Sequence, residues 1–224
     1  MNVVELRNVV KYYQLGKLKV SALKGIDLEV QQGEFLILKG QSGSGKSTTL
    51  NIIGGMDLPD SGEVTLAGSN INDFNDYQLS NMRRKHIGFI FQSFNLIPVL
   101  NALENVEYPL RLQGRKDYRE KARDSLEKVG LKEFMKHRPN ELSGGQIQRV
   151  AIARGIVTQP DIILADEPTA NLDSKTSRQI MELMLELNRE QNLTFIVVTH
   201  HDYVMSKASR VVELQDGEIY KSAA

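Results

Sequence analysis

Apolar and polar residues alternate along 3–10 and again along 25–30, the period of strands with one buried face. Between them, 11–16 reads as a polar loop. A continuous apolar run at 34–39 predicts a strand buried on both faces, and 87–91, 161–166 and 194–199 have the same character. The turn residues of 58–62 precede a further strand at 63–68, and 76–85 reads as a short polar helix. From residue 93 the period becomes helical. Leu103, Val106, Leu110 and Leu112 recur at helix spacing, then Ala122, Leu126 and Val129, with Gly114 and Gly130 as punctuation. The last helix of this stretch is predicted to begin near Ser143, a good N-cap, and to run to Arg154. Residues 174–190 form an amphipathic pattern with Ile180, Leu183, Met184 and Leu187 on one face. Strands at 211–214 and 218–220 flank Gln215-Asp216-Gly217, a hairpin signal. Apolar strands alternating with helices predict an α/β fold with a mostly parallel sheet. The first strands add an antiparallel flank. Residues 1–92 and 151–224 would form the core, and 93–150 an inserted helical sub-domain.

One segment carries chemistry on its face. Gly40-Gln41-Ser42-Gly43-Ser44-Gly45-Lys46-Ser47-Thr48 fits G-x-x-x-x-G-K-[ST], the P-loop pattern, with a predicted strand before it and a helix-forming run at 48–53 after it. Glycines let the backbone curl so that successive N–H groups point inward as an anion-binding nest, and the helix N-terminus adds its positive end. Lys46 reaches the terminal phosphates of a nucleotide and the Ser47 hydroxyl can ligate Mg²⁺. ATP and Mg²⁺ are therefore the expected ligands.

Composition removes other readings. The 224 residues hold 28 Lys and Arg against 28 Asp and Glu, so no net charge favours nucleic acid or an anionic surface. No cysteine is present, which excludes disulfides and thiol chemistry. No apolar run approaches the ~18 residues of a membrane span, and 1–5 lack the pattern of a secretory signal. The expectation is a cytosolic chain without direct membrane insertion, whose membrane role would come through a partner.

The strand at 162–165 ends in Asp166-Glu167. An acidic residue at the carboxyl end of a central strand sits where α/β proteins bind ligands, and beside a P-loop it holds Mg²⁺. Glu167 could orient or deprotonate an attacking water. His200 ends the strand at 194–199, within reach of the γ-phosphate side, while His201 reads as an ordinary loop histidine. Gln92, at another strand end, could approach Mg²⁺ and water. The adjacent Tyr12 and Tyr13 leave two readings, a cap on the sheet or a ring that stacks on a base.

With these residues in place the chain resembles the nucleotide-binding subunit of an ATP-binding cassette (ABC) transporter. The decisive match is Leu142-Ser143-Gly144-Gly145-Gln146, the family's signature, lying between the P-loop and the acidic strand. The resemblance covers nearly the whole chain and implies a RecA-like P-loop core. It implies Tyr13 as the base-stacking aromatic, Gln92 as the Q-loop residue, Asn171-Leu172-Asp173 as the D-loop and His200 as the switch histidine. It also implies a head-to-tail pair of copies, with Ser143, Gly144 and Gly145 of one closing on ATP held by the other. A membrane subunit would dock near Gln92 at the inner face of the plasma membrane, with a periplasmic adaptor as a further candidate partner. Residues 89–98, 102–106 and 164–169 are most similar to the ATPases of lipoprotein-releasing and macrolide-export systems. Ala170 departs from the usual Gly and His201 from the usual Asp; neither removes a reacting group. Two other readings share the signature. DNA-repair and chromosome-organising ATPases separate the motifs with long heptad runs, which this chain lacks. A regulatory ATPase, coupling its cycle to a membrane protein that transports nothing, is distinguished by its membrane subunit.

Overall fold

A computed structural model describes residues 1–16 and 18–223. The chain opens with β1 (Asn2–Leu15) and β2 (Leu18–Gln31), paired antiparallel, followed by β3 (Phe35–Lys39) and α1 (Lys46–Ile53). The expected loop at 11–16 is strand almost to its end. Tyr12 lies opposite Ser21, Tyr13 opposite Val20 and Gln14 opposite Lys19. Aromatic and β-branched residues favour the ladder, and the Lys19 ammonium sits 3.8 Å above the Tyr12 ring. The chain turns at Gly16, in the left-handed region with φ 60°.

Next come β4 (Ser61–Leu66), the two-residue β5 (Ser69–Asn70), α2 (Asp76–His86) and β6 (Ile87–Phe91). The helical segment holds α3 (Ala102–Leu112), α4 (Tyr118–Lys128), two single 3-10 turns and α5 (Gly144–Ile156). The chain then returns through β7 (Ile162–Asp166), α6 (Ser174–Gln191), β8 (Phe195–Val198), the short α7 (Asp202–Met205), β9 (Arg210–Gln215) and β10 (Glu218–Ala223). Asp216 and Gly217 both take positive φ in the β9–β10 turn, as the hairpin signal requires.

Two sheets result. One is antiparallel, in the order β2-β1-β4-β5; the other runs β10-β9-β3-β8-β7-β6 and is parallel except for the edge strand β10. The central strands β3, β7 and β8 are buried on both faces, whereas β9 alternates. Leu36, Leu38, Ile162, Leu164, Ile196 and Val198 face the antiparallel sheet and α1, in one cluster with Leu6, Ile26, Leu28, Leu50 and Ile53. Phe35, Ile37, Ile163, Ala165, Phe195 and Val197 point the other way, onto α5, α6 and the rest of the helical segment. This two-face burial is why those strands read as unbroken apolar runs.

Residue 150, the expected edge of the insert, falls inside α5, whose residues 150–153 are fully buried. The helical segment and the parallel sheet thus share one hydrophobic cluster. Of the positions expected in its core, Val106, Leu110, Ala122, Leu126 and Val129 are fully buried. Leu112 is not. At the C-terminal end of α3 it is 52% exposed and lines a surface groove. Among the described residues no helix is long and apolar enough to cross a membrane.

Candidate nucleotide site

The P-loop leaves β3 and enters α1. Gly40, Gly43 and Gly45 all hold positive φ, as the motif demands. Gly45 has two reasons to be glycine. Its φ is 103°, and a Cβ there would lie 2.8 Å from both Ala22 O and Leu23 Cδ2. As N-cap of α1 it offers no side chain, so the first N–H groups of the helix stay open to an anion. The loop is braced from behind: Gly217 N donates to Ser44 O at 3.2 Å, and Lys24 N to Gly217 O at 2.8 Å. Gln41, Ser42, Gly43 and Ser47 are exposed, Thr48 half-buried. Lys46 is only 7% exposed, and its ammonium folds back to donate to Gly40 O at 2.7 Å and Gln41 O at 2.8 Å. A buried ammonium on carbonyl oxygens at the mouth of a nest is poised to exchange them for phosphate oxygens.

The strand order β3-β8-β7-β6 puts the other groups on the same edge. Asp166 ends β7, and Ser47 Oγ donates to its Oδ1 at 3.4 Å. Burial, foremost, and the neighbouring Glu167 carboxylate push the Asp166 pKa up, while Ser47 and Lys46 oppose them. A hydroxyl and a carboxylate converging in this way suit a hard cation that keeps other oxygen ligands of its own. Among the described residues there is no group of three or more His, Cys, Asp or Glu around a metal position. Glu167 takes the left-handed conformation, φ 44°, with its N–H held by Val198 O at 3.0 Å. His200 emerges after β8, between P-loop and Glu167, and its Nε2 stands 3.6 Å from Glu167 Oε1. The two line a pocket with Thr169, Ala170, Ser177, Thr199 and His201. His201, expected to be an ordinary loop histidine, lines the same pocket, its N–H donating to Thr199 Oγ1.

Gln92 follows β6, beside β7, with an exposed side chain. Asn171 of the predicted D-loop donates from Nδ2 to Gln92 O at 3.0 Å. Asp173 caps α6 through Thr176 N and Thr176 Oγ1. Ser143 caps α5 as expected, in a reciprocal box with Gln146: Gln146 Oε1 accepts from Ser143 N at 2.8 Å and Ser143 Oγ from Gln146 N at 3.4 Å. Leu142 is buried beneath, whereas Ser143 and Gly144 face solvent. The two glycines have a packing reason as well. A Cβ at Gly144 would stand 3.1 Å from Leu172 Cδ2, and one at Gly145 2.6 Å from Thr176 Cγ2. Signature and D-loop are thus packed as one block. Among the described residues no hydrogen bond joins that block to the P-loop of the same chain.

Tyr13 stands on β1 beside α1, its hydroxyl donating to Asp57 Oδ2 at 2.8 Å. Sequence reasoning left out Asp57, which fell between the helix-forming run at 48–53 and the turn at 58–62, and gave Arg154 no role beyond its helix. Arg154 donates to Phe94 O and Asn95 O, holding the two left-handed residues just after Gln92. No local pattern marks such contacts.

The profile of the family described as "ABC transporter" matches residues 23–170. The ABC transporter ATP-binding protein MJ0796 of Methanocaldococcus jannaschii is 49% identical over 222 residues, 96% of this chain and 94% of that one. The macrolide export ATP-binding/permease protein MacB of Bdellovibrio bacteriovorus is 45% identical over 216 residues, 96% of this chain but 33% of MacB. A solved dimeric structure of a post-hydrolysis state of MJ0796, bound to ADP and Pi, superposes with TM-score 0.90 at 48% identity, covering 98% of this chain and 97% of that one. The motif order, the nucleotide edge of the parallel sheet and these likenesses have one reading: the chain belongs to the ABC transporter family as an ATP-binding cassette, an ATPase.

Proposed function

We propose that this chain is the motor subunit for a separate membrane subunit that exports or extracts a lipoprotein, peptide or drug-like substrate. One observation carries the motor reading. The Ser47–Asp166 and Glu167–His200 pairs both lie at the carboxyl ends of neighbouring parallel strands, beside a P-loop whose lysine is already held at the nest. ATP would lie along the P-loop with its base on Tyr13. Mg²⁺ would be held by Ser47 and Asp166, with Gln92 at its outer side, and offsets charge on the phosphates when bound. Glu167, steadied by His200, would take the proton of the attacking water.

Among the described residues no hydrogen bond joins the signature to the P-loop of the same chain, so a second copy arranged head to tail would supply Ser143, Gly144 and Gly145 to the bound ATP. The dimeric structures of the relative support a pairing of two copies. ATP then holds the dimer closed and hydrolysis releases it, a ligand-controlled two-state element.

A groove of about 260 Å³ lies where the parallel sheet meets the helical segment. Phe91, Tyr108, Pro109 and Leu112 line it, with the Arg84 and Arg154 guanidinium groups at its wall. Both arginines are spent on carbonyl and amide oxygens and neither is paired with a carboxylate among the described residues. The groove suits a short apolar helix from a cytoplasmic loop of the membrane subunit. The MacB likeness, in which cassette and permease share one chain, favours the export reading and peripheral attachment to the membrane.

The test is steady-state ATPase activity of the wild type and Glu167→Gln, alone and with the co-purified membrane subunit in lipid. We expect cooperative ATP dependence, a changed rate with the partner, and loss of turnover in Glu167→Gln together with an ATP-dependent dimer on size exclusion. Normal turnover in Glu167→Gln would remove the base assignment.

A further inference from the structure

Tyr13 is held at both ends. Its backbone is fixed in the β1–β2 ladder opposite Val20, and its phenol oxygen donates to Asp57 Oδ2 at 2.8 Å. Asp57 lies just past α1, the helix that begins at the P-loop lysine. The Asp57 carboxylate is fixed in turn. Lys11 Nζ donates to Oδ1 at 2.6 Å and also to Leu58 O at 2.7 Å, and Leu58 N donates to Oδ1 at 2.8 Å. The Lys11 side chain is 12% exposed, and its ammonium is 5.4 Å from the centroid of the Tyr13 ring. A second stitch runs alongside: Tyr12 N donates to Asp60 Oδ2 at 2.7 Å, and Asp60 N to Val10 O at 2.9 Å.

The electrostatics agree with the contacts. Burial, foremost, and the bond to Asp57 push the Tyr13 phenol up, while the Thr48 hydroxyl on the first turn of α1 works against them. Burial would raise Asp57 as well, but the Lys11 and Tyr13 hydrogen bonds outweigh it and hold the carboxyl below its ordinary value. The acceptor is therefore ionised and the phenol protonated at neutral pH, the pairing that makes a strong tether.

A half-buried ion pair with no other work would be a structural staple between β1 and the end of α1. This one ends on the tip of a side chain that is itself 37% exposed. We infer that Asp57, locked by Lys11, is the positioning residue for the Tyr13 ring, setting the adenine platform at a fixed place relative to the P-loop. This rests on the reading of Tyr13 as the base-stacking residue. Pinning the ring beforehand removes the rotamer freedom that an exposed tyrosine would otherwise lose on stacking, an effect of about two- to ten-fold in affinity.

The experiment measures binding of the fluorescent analogue mant-ATP and, by calorimetry, of inorganic tripolyphosphate, which has no base. The full chain is compared with Tyr13→Phe, Asp57→Ala, Asp57→Asn, their Tyr13→Phe/Asp57→Ala combination and Tyr13→Ala. We expect Tyr13→Phe and Asp57→Ala each to weaken mant-ATP two- to ten-fold. The combination should be no worse than either alone, because both remove one contact. Asp57→Asn, which keeps an acceptor oxygen, should recover part of the loss, and tripolyphosphate affinity should be the same in Asp57→Ala as in the wild type. Additive losses, wild-type affinity in Tyr13→Phe and Asp57→Ala, or an equal loss for tripolyphosphate would overturn the inference. The last outcome would mean that Asp57 acts by holding α1. Tyr13→Ala separates the two levels. If it binds mant-ATP normally, the stacking reading itself is wrong; if it is impaired while Tyr13→Phe is not, stacking stands and the tether does not.

Discussion

Replacing Asp166 by Asn should make the nucleotide-free protein more stable and the nucleotide-bound protein less so. The carboxylate ends β7 half-buried, next to the Glu167 carboxylate, and the Ser47 hydroxyl at 3.4 Å is its one side-chain hydrogen bond among the described residues. Burial first and Glu167 second push its pKa up. A carboxyl whose folded pKa lies above its unfolded one favours folding below the unfolded value and loses that advantage as pH rises through the folded value. At neutral pH the ionised group is therefore a net cost. Partial exposure screens the repulsion, which holds the gain from a neutral amide to roughly 1 kcal/mol. For a chain of this length that is about 2–4 °C in Tm. Bound ligand reverses the order. At 100 times Kd a ligand adds about 2.7 kcal/mol to the folded state, and the Mg²⁺-dependent share of that gain should vanish in Asp166→Asn. Scanning fluorimetry of both proteins, with and without ATP and Mg²⁺, reads the crossover. Repeating the nucleotide-free pair at falling pH should close the gap, because protonation removes the cost from the wild type. A lower Tm for nucleotide-free Asp166→Asn, or an undiminished response to Mg²⁺-ATP, would refute the reasoning.

His200→Ala should cut turnover roughly 10²-fold while ATP-dependent dimerisation persists, read by phosphate release and size exclusion; unchanged turnover would remove His200 from the site. Gly145→Ala should cost about 1–3 kcal/mol, since its Cβ would lie 2.6 Å from the Thr176 methyl and Thr176 Oγ1 is tied to Asp173. Adding Thr176→Ser removes that methyl, keeps the hydroxyl and should restore Tm, and a failure to do so would discard the packing argument. Asn101→Ala removes the reciprocal cap that Asn101 and Glu104 build on α3 and should lower Tm by about 2–4 °C, or roughly 1 kcal/mol.

The central strands of the parallel sheet were legible because burial on both faces leaves no polar position to interrupt them, as at 36–38, 162–165 and 195–198. The start of α5 was legible because Ser143 and Gln146 complete a local reciprocal cap. The far half of β1 was not. Its polar residues pair across the hairpin with Ser21, Val20 and Lys19, so the partner strand decides what the local composition leaves open. Leu112 kept the helical spacing of its neighbours, yet periodicity records direction and not what stands opposite, and there the wall opens into a groove. The site residues divide in the same way. Lys46, Ser47, Asp166 and Glu167 could be proposed from sequence because phosphate and a hard cation would dictate their types and local order. Their supports obey no such chemistry. Tyr13 and Asp57 are 44 residues apart, Phe94 and Arg154 are 60, and Gln92 and Asn171 are 79. Each contact is a side chain reaching a group that only the completed fold brings near. Two of the three accept on a backbone carbonyl, which every residue type supplies. A contact to a group common to all residues imposes no residue type at its accepting end. The segments that hold the reacting groups in place therefore leave a weaker trace in the sequence than the groups themselves.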